Sequence, residues 1–144
     1  MRFWDSSAVV PLLVEEPSSV SALREYEQDP EVVVWWATEV ECASALARLE
    51  REGSLSGSSP GEALRRLGAL AQAWREVQPV ARVREVAMRL LRVHELRAAD
   101  ALQLASALAA AEDHPATLAF LTLDDRLAGA AEREGFPVVR PGHS

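Results

Sequence analysis

The stretch Val32-Val33-Val34-Trp35-Trp36-Ala37-Thr38-Glu39-Val40-Glu41-Cys42-Ala43 decides the class of fold. Its first five residues are β-branched or aromatic with no polar interruption, the composition of a strand. A run that is apolar on both faces of the pleat suits a strand buried on both sides, as parallel sheets require. From Thr38 the pattern turns helical, continues to about Glu52 and stops at Gly53. A buried strand passing into a helix is the repeating unit of an α/β chain.

Upstream, Arg2–Trp4 is a short strand that Asp5-Ser6-Ser7 ends, capping a helix through Ala8–Val14. Pro11 then falls in the first turn of that helix, where proline is tolerated. A second helix is expected from about Ser18 to Glu27, and Asp29-Pro30 is a turn. Downstream, Ser54–Gly61 reads as a loop and as the most flexible stretch, being rich in Ser and Gly. Helices are expected at Glu62–Ala73, Val80–Val93 and Ala98–Ala111, with a short strand around Arg75–Gln78. Thr117–Leu121 is a strand, Asp124–Glu134 a helix and Phe136–Arg140 a last strand. The pattern predicts an α/β fold with a central, mostly parallel sheet flanked by helices, in a single domain over residues 1–144, with no internal repeat.

Composition narrows the chemistry. Of 144 residues, 49% are hydrophobic, so a substantial core is expected rather than disorder. Apolar runs are broken by charge well short of the roughly 20 residues of a membrane span. Cys42 is the only cysteine, and His94, His114 and His143 fall in no zinc-ligand spacing. A reducing cytoplasm fits, with no secretion signal ahead of the first strand.

The formal charge of −7 is unevenly distributed. Residues 1–47 carry two Arg against nine acids, residues 48–97 ten Arg against six, and residues 98–144 three Arg against seven. A basic middle beside acidic flanks suits a polyanion gripped by its phosphates, although solvated helix faces give the same pattern. Arg48, Arg51, Arg65, Arg66 and Arg97 are the candidates for phosphate contact.

Four acids stand at strand ends or helix starts, where the crevice of an open parallel sheet forms: Asp5, Glu41, Asp100 and Asp124. Carboxylates gathered there repel one another unless a hard cation such as Mg²⁺ or Mn²⁺ lies between them. Each also has a plain structural explanation. Asp5 and Asp124 are good N-caps. Thr38 and Glu41 satisfy the capping-box spacing. Asp100 suits the dipole of its first turn or a salt bridge to Arg97. Glu39 competes with Glu41 but points about 200° away around the helix, and Asp125 competes with Asp124. Ser6 and Thr122 add hydroxyls. Trp4, Trp35, Trp36 and Trp74 read as core, Cys42 as a buried helix residue, and His94 as a helix end.

The segments Phe3-Trp4-Asp5-Ser6-Ser7-Ala8, Glu41-Cys42-Ala43-Ser44-Ala45-Leu46, Leu96-Arg97-Ala98-Ala99-Asp100-Ala101-Leu102-Gln103-Leu104-Ala105 and Phe120-Leu121-Thr122-Leu123-Asp124 together resemble the PIN-domain ribonucleases. The resemblance is particularly to VapC-like toxins of type II toxin–antitoxin modules. The resemblance spans nearly the whole chain and lies in the ordered set of segments, not in any one motif. It implies a parallel sheet flanked by helices and a metal-dependent endoribonuclease site at Asp5, Glu41, Asp100 and Asp124. It also implies a homodimer and inhibition by a small antitoxin protein. Ser44 departs from the pattern, since many relatives carry Asn there. Two other readings compete: an RNA-processing nuclease without toxin role, and a binding module whose acids serve only as caps.

Overall fold

A computed structural model describes residues 1–55 and 59–142. Of the expected loop Ser54–Gly61, positions 56–58 therefore lie outside the described residues, as does His143. Five strands, β1 (Arg2–Trp4), β2 (Val32–Trp35), β3 (Arg75–Val77), β4 (Ala119–Leu121) and β5 (Val138–Val139), form one sheet in the order β3-β2-β1-β4-β5. Every neighbouring pair is parallel. Seven α-helices among the described residues connect them: α1 (Ser6–Leu13), α2 (Ser19–Gln28), α3 (Thr38–Arg51), α4 (Pro60–Ala73), α5 (Ala81–Val93), α6 (Ala98–Ala110) and α7 (Asp125–Arg133). This is the α/β fold read from the strand-to-helix alternation. No helix among the described residues is long and apolar enough to cross a membrane.

Strand alternation divides the interior into two cores. Trp4, Val32, Val34 and Leu121 face α1, α3 and α4, together with Leu13, Cys42, Leu46 and Leu67. Phe3, Val33, Trp35 and Phe120 face α5, α6 and α7, with Leu90, Leu104 and Leu127. Neighbouring strands carry matched faces because the register pairs Phe3 with Val33 and with Phe120. The Phe3 and Phe120 rings stack across that register, 5.3 Å between centroids.

The structure shifts several boundaries, each for a local reason. α1 begins at Ser6, so Pro11 lies in its second turn, where it removes one intrahelical hydrogen bond. α4 begins at Pro60, which supplies a preset φ at N1, while the Ser59 hydroxyl caps it by accepting from Glu62 N–H. α3 ends on Gly53 at φ +68°, and Ser54 N–H closes back on the Leu49 carbonyl at 2.8 Å. β4 starts at Ala119 because Pro115–Thr117 forms a single 3₁₀ turn. β5 is only two residues long, since Pro137 has no N–H to give the ladder.

Trp36 is a correction: β2 ends at Trp35, and Trp36 stands 51% exposed instead of entering the core. Trp4, Trp35 and Trp74 are buried as expected. The Trp74 indole donates to Glu76 at 3.1 Å.

Candidate active site

The chain lays out β1, β2 and β3 towards one edge of the sheet and then crosses back to place β4 on the other side of β1. Strand order reverses between β1 and β4, and in open α/β sheets the crevice at the strand C-termini opens at such a point. Asp5 leaves the end of β1 there, and Thr122, Leu123 and Asp124 leave the end of β4. Asp5 N–H still bonds the Leu121 carbonyl, so the two strand ends are locked together up to the last residue before the acids.

Asp5 occupies the N-cap position of α1 but makes no side-chain cap. Its carboxylate is 3% exposed and accepts instead from Ser7 Oγ at 2.5 Å and Thr122 Oγ1 at 2.9 Å, both on Oδ2. Those hydroxyls are themselves aimed by backbone donors: Leu123 N–H gives to Ser7 Oγ at 2.9 Å, and Asp124 N–H to Thr122 Oγ1 at 3.0 Å. The relay welds the start of α1 to the loop after β4. Asp5 Oδ1 has a marginal 3.5 Å contact from Ser6 Oγ, and the Ser7 backbone N–H adds a further hydrogen bond to the carboxylate. Ser7, which sequence reading noted only as part of a cap, thus orients the most buried acid.

Glu41 is a second correction to capping expectations. Ala37, not Thr38, is the N-cap residue of α3, and no side-chain cap is made. Thr38 is fully buried, and its hydroxyl accepts from Gln103 Nε2 at 3.1 Å. The same Gln103 amide donates to Glu41 Oε1 at 2.5 Å. Glu41 is therefore held across the sheet end from α6, rather than by its own helix. Gln103 itself is buried, and its Oε1 has no partner among the described residues. Sequence reading quoted Gln103 without assigning it a role. The available signal was an amide in the middle of an otherwise apolar helix, a position that demands a polar partner.

Asp100 lies in the first turn of α6 and is half-buried. The salt bridge to Arg97 does not form within 4 Å among the described residues, and Arg97 acts on Asp100 only as a distant charge. Asp124 does act as an N-cap: Oδ1 accepts from Leu127 N–H at 2.9 Å. For this residue the structural explanation holds, with Oδ2 remaining. Asp125 is turned outward, its side chain 83% exposed and paired with Arg140.

The electrostatics connect all four. Burial raises the carboxyls of Asp5, Glu41 and Asp100 above their ordinary values. Mutual repulsion adds to this: Asp124 raises Asp5, Asp5 and Asp100 raise Glu41, and Asp124 and Asp5 raise Asp100. Hydrogen bonds from Ser7 and Thr122 to Asp5, and from Gln103 and Ser6 to Glu41, oppose the effect. Cys42, buried beside these anions, is pushed up to about 12, mainly by burial and then by Asp5, Glu41 and Glu39. It is no nucleophile. His94 closes α5 and bonds Glu134 through Nε2 at 2.7 Å, on the α7 side of the molecule, which makes it a structural link.

Two clefts flank the acids. One, of about 570 Å³, is lined by Ser6, Ser7, Glu41, Ser44 and Arg48 among others; the second, of about 560 Å³, by Arg97, Asp100, Asp124, Asp125 and Arg126. Of the arginines proposed for phosphate, Arg48 and Arg97 line these clefts, and Arg126 joins them unforeseen. Arg51 and Arg65 line neither. Arg66 is engaged elsewhere, donating to the Leu13 carbonyl at the end of α1 at 2.9 Å.

No group of three or more His, Cys, Asp or Glu among the described residues is already arranged to hold a metal ion. The donor set is nonetheless one of carboxylate and hydroxyl oxygens, the chemistry of a hard divalent cation. Partial burial and mutual repulsion leave an excess of negative charge that such a cation would offset.

Asp124 separates cap from site. In Asp124→Ser the hydroxyl keeps the cap, so melting should change by a few tenths of a kcal/mol, against about 1 kcal/mol for Asp124→Ala. If the carboxylate has a chemical role, both variants lose activity equally. Equal activity in Asp124→Ser and the unmodified chain would reduce Asp124 to a cap.

A family model described as the PIN domain matches residues 2–133. No curated protein matches the chain by sequence. Among solved structures, a toxin–antitoxin complex from Klebsiella pneumoniae superposes with a TM-score of 0.67 at 16% identity, covering 98% of each chain. FitAcB from Neisseria gonorrhoeae gives 0.66 at 20% identity, covering 100% of each. A protein from Pyrobaculum aerophilum gives 0.64 at 18% identity, covering 96% of this chain and 87% of that one. At these identities the likeness is one of fold.

Proposed function

The chain belongs to the PIN-domain family, whose members are nucleases, and on that premise we propose that it is a Mg²⁺- or Mn²⁺-dependent endoribonuclease acting as the toxin of a type II toxin–antitoxin pair. One observation carries the reading. Four acids from four separate segments share one field at the strand ends, and two of them are tied to distant elements by side chains: Asp5 to Thr122 after β4, and Glu41 to Gln103 on α6. A fold that merely needed caps would not draw these charges together.

Asp5, Asp100 and Asp124 would hold the cation directly or through water, with Glu41 completing the set. The chemistry such a cation would supply when bound is acidification of water and neutralisation of phosphodiester charge. The chain's own groups do the rest. Glu41, half-buried and with its proton affinity raised by burial and by Asp5, is the acid best placed to accept a proton from attacking water. Ser7, Thr122 and Gln103 keep Asp5 and Glu41 in position. Arg48 and Arg97, on opposite sides of the acids, take phosphates of the RNA strand.

The proposed antitoxin partner is supported by the family resemblance and by the likeness in fold to a solved structure that is a toxin–antitoxin complex. The homodimer is proposed on the same basis, and Met88, Leu91 and Val93, exposed along α5, are apolar surface that an interface would cover. The cytoplasm is the proposed location.

The reading is tested by titrating Mn²⁺ calorimetrically into the chain and its Asp100→Asn variant, beside an assay of RNA cleavage with and without chelator. Expected are binding that the variant loses and cleavage that the chelator stops. Equal heats in both, with no cleavage, would leave the acids as caps and the chain as a binding module. Growth arrest on expression without a partner supports the toxin role, whereas harmless expression of a cleaving enzyme assigns it to RNA processing.

A further inference from the structure

The cleft beside Glu41 extends past the acids to a carboxylate that the nuclease reading does not use. Glu16, in the link between α1 and α2, lines it opposite the α3 residues Ser44 and Arg48. Its backbone is fixed: Glu16 N–H donates to Ser19 Oγ at 2.8 Å, and that hydroxyl donates to the Val14 carbonyl at 2.9 Å. Its carboxylate is half-buried, and among the described residues it accepts no hydrogen bond and meets no cation. Burial alone raises it. A partly desolvated carboxylate with no protein donor keeps its acceptor capacity open to the cleft, and a ligand bringing donors there would be held by charge-assisted hydrogen bonds. The intervening wall is apolar, formed by Val10, Val40, Ala45 and Leu49, and suits the face of a planar ring. A volume of about 570 Å³ accommodates a nucleotide.

We infer that this cleft is a nucleobase subsite selecting guanine, with Glu16 as the residue that reads the base. Unpaired RNA bases are recognised by stacking and by hydrogen bonds to their Watson–Crick edges. A carboxylate offers two acceptors side by side. Guanine alone among the four bases presents two adjacent donors there, N1–H and the N2 amine. Adenine and cytosine place an acceptor beside their amine, and uracil flanks its single N–H with two carbonyls. Arg48, at the same cleft, takes the phosphate attached to that nucleotide. The base would then sit next to the bond that the acids address. The inference rests on the nuclease reading only in taking the ligand to be RNA.

The test uses binding, not catalysis. GMP, IMP, AMP, CMP and UMP are titrated into the full chain in the presence of chelator and followed by NMR chemical shifts, then repeated on Glu16→Gln and Glu16→Ala. GMP should bind most tightly, with IMP, which lacks the N2 amine, about tenfold weaker. In both variants GMP should bind more weakly than in the parent and lose its advantage over IMP, and the parent's shifts should map to α1 and α3. Equal affinity for GMP and IMP in the unmodified chain, or a GMP preference that survives both variants, would overturn the assignment. In RNA cleavage, Glu16→Gln should still cut but lose its enrichment for guanine next to the cut. Guanine selection by a chain that cuts no RNA would instead retain the pocket and defeat the nuclease reading.

Discussion

Asp5→Asn is expected to cut RNA cleavage by more than about 100-fold while leaving the protein at least as stable as before. In the native chain Asp5 Oδ2 receives both hydroxyls, from Ser7 and Thr122, and Oδ1 is the oxygen left for the crevice. An asparagine keeps its one oxygen on the two hydroxyl donors and turns its NH₂ towards the crevice. A donor there neither ligates a cation nor carries negative charge. Loss of an outer-shell partner at a metal site already costs 10–100-fold, so loss of Asp5 should exceed about 100-fold in cleavage rate. Stability should move the other way. The fold penalises the charged form of Asp5, raising its carboxyl chiefly through burial, and a neutral side chain of the same shape escapes that penalty. Thermal melting at neutral pH without divalent ions should therefore show the variant equal to or above the parent. An Asn variant that cut RNA at the normal rate would remove Asp5 from the chemistry. One that melted far below the parent would show that the carboxylate is structural.

The same charges make stability depend on pH and on divalent cations in linked ways. Asp5, Glu41 and Asp100 have folded values above their unfolded references of 3.8 and 4.5. Between the unfolded and folded values the native state holds more protons than the unfolded chain, so stability falls as pH rises through that window and levels off above it. The contribution is thus fully present below the unfolded values and lost as pH rises through the folded ones, opposite in sign to that of Asp29 and Glu134, which are lowered and lose their contribution as pH falls. Substituting Asp100 by Asn should flatten the acidic arm that belongs to the site. A cation that binds the ionised acids reverses the penalty where it is greatest. At neutral pH and a cation concentration 100 times its dissociation constant, mass action adds about 2.7 kcal/mol. For a chain of this size that amounts to a rise in melting temperature on the order of 10 °C. The rise should vanish in Asp100→Asn. A melting temperature indifferent to Mn²⁺ at neutral pH would break the link between these carboxylates and a metal.

Much of the architecture was legible because local patterns and tertiary demands agree. Val32–Trp35 reads as buried strand from its composition, and it is buried on both faces between α3 and α6. The four acids could be picked out because each ends a strand or opens a helix, and the C-terminal edge of a parallel sheet is where such positions meet. Where the reading failed, a distant partner had outbid a local one. Thr38 and Glu41 have capping-box spacing, yet Gln103, 62 residues from Glu41 in the chain, takes both side chains. Trp36 continues an apolar run but falls one residue past the strand, where the chain turns into α3 and the indole is left in solvent. Arg66 looked like a phosphate contact and is bound to the Leu13 carbonyl, 53 residues away.

By itself the sequence determined the alternation of strand and helix, the two-sided burial of the sheet and which acids stand at strand ends and helix starts, since all three follow from side-chain type and short-range spacing. Only the tertiary structure decided which hydroxyls and which amide hold those acids, which arginines stand beside them, and that Glu16 faces the same cleft. Those relationships depend on elements far apart in the chain meeting at the reversal of strand order between β1 and β4. No local propensity encodes the distance between two side chains brought together by the packing of a sheet.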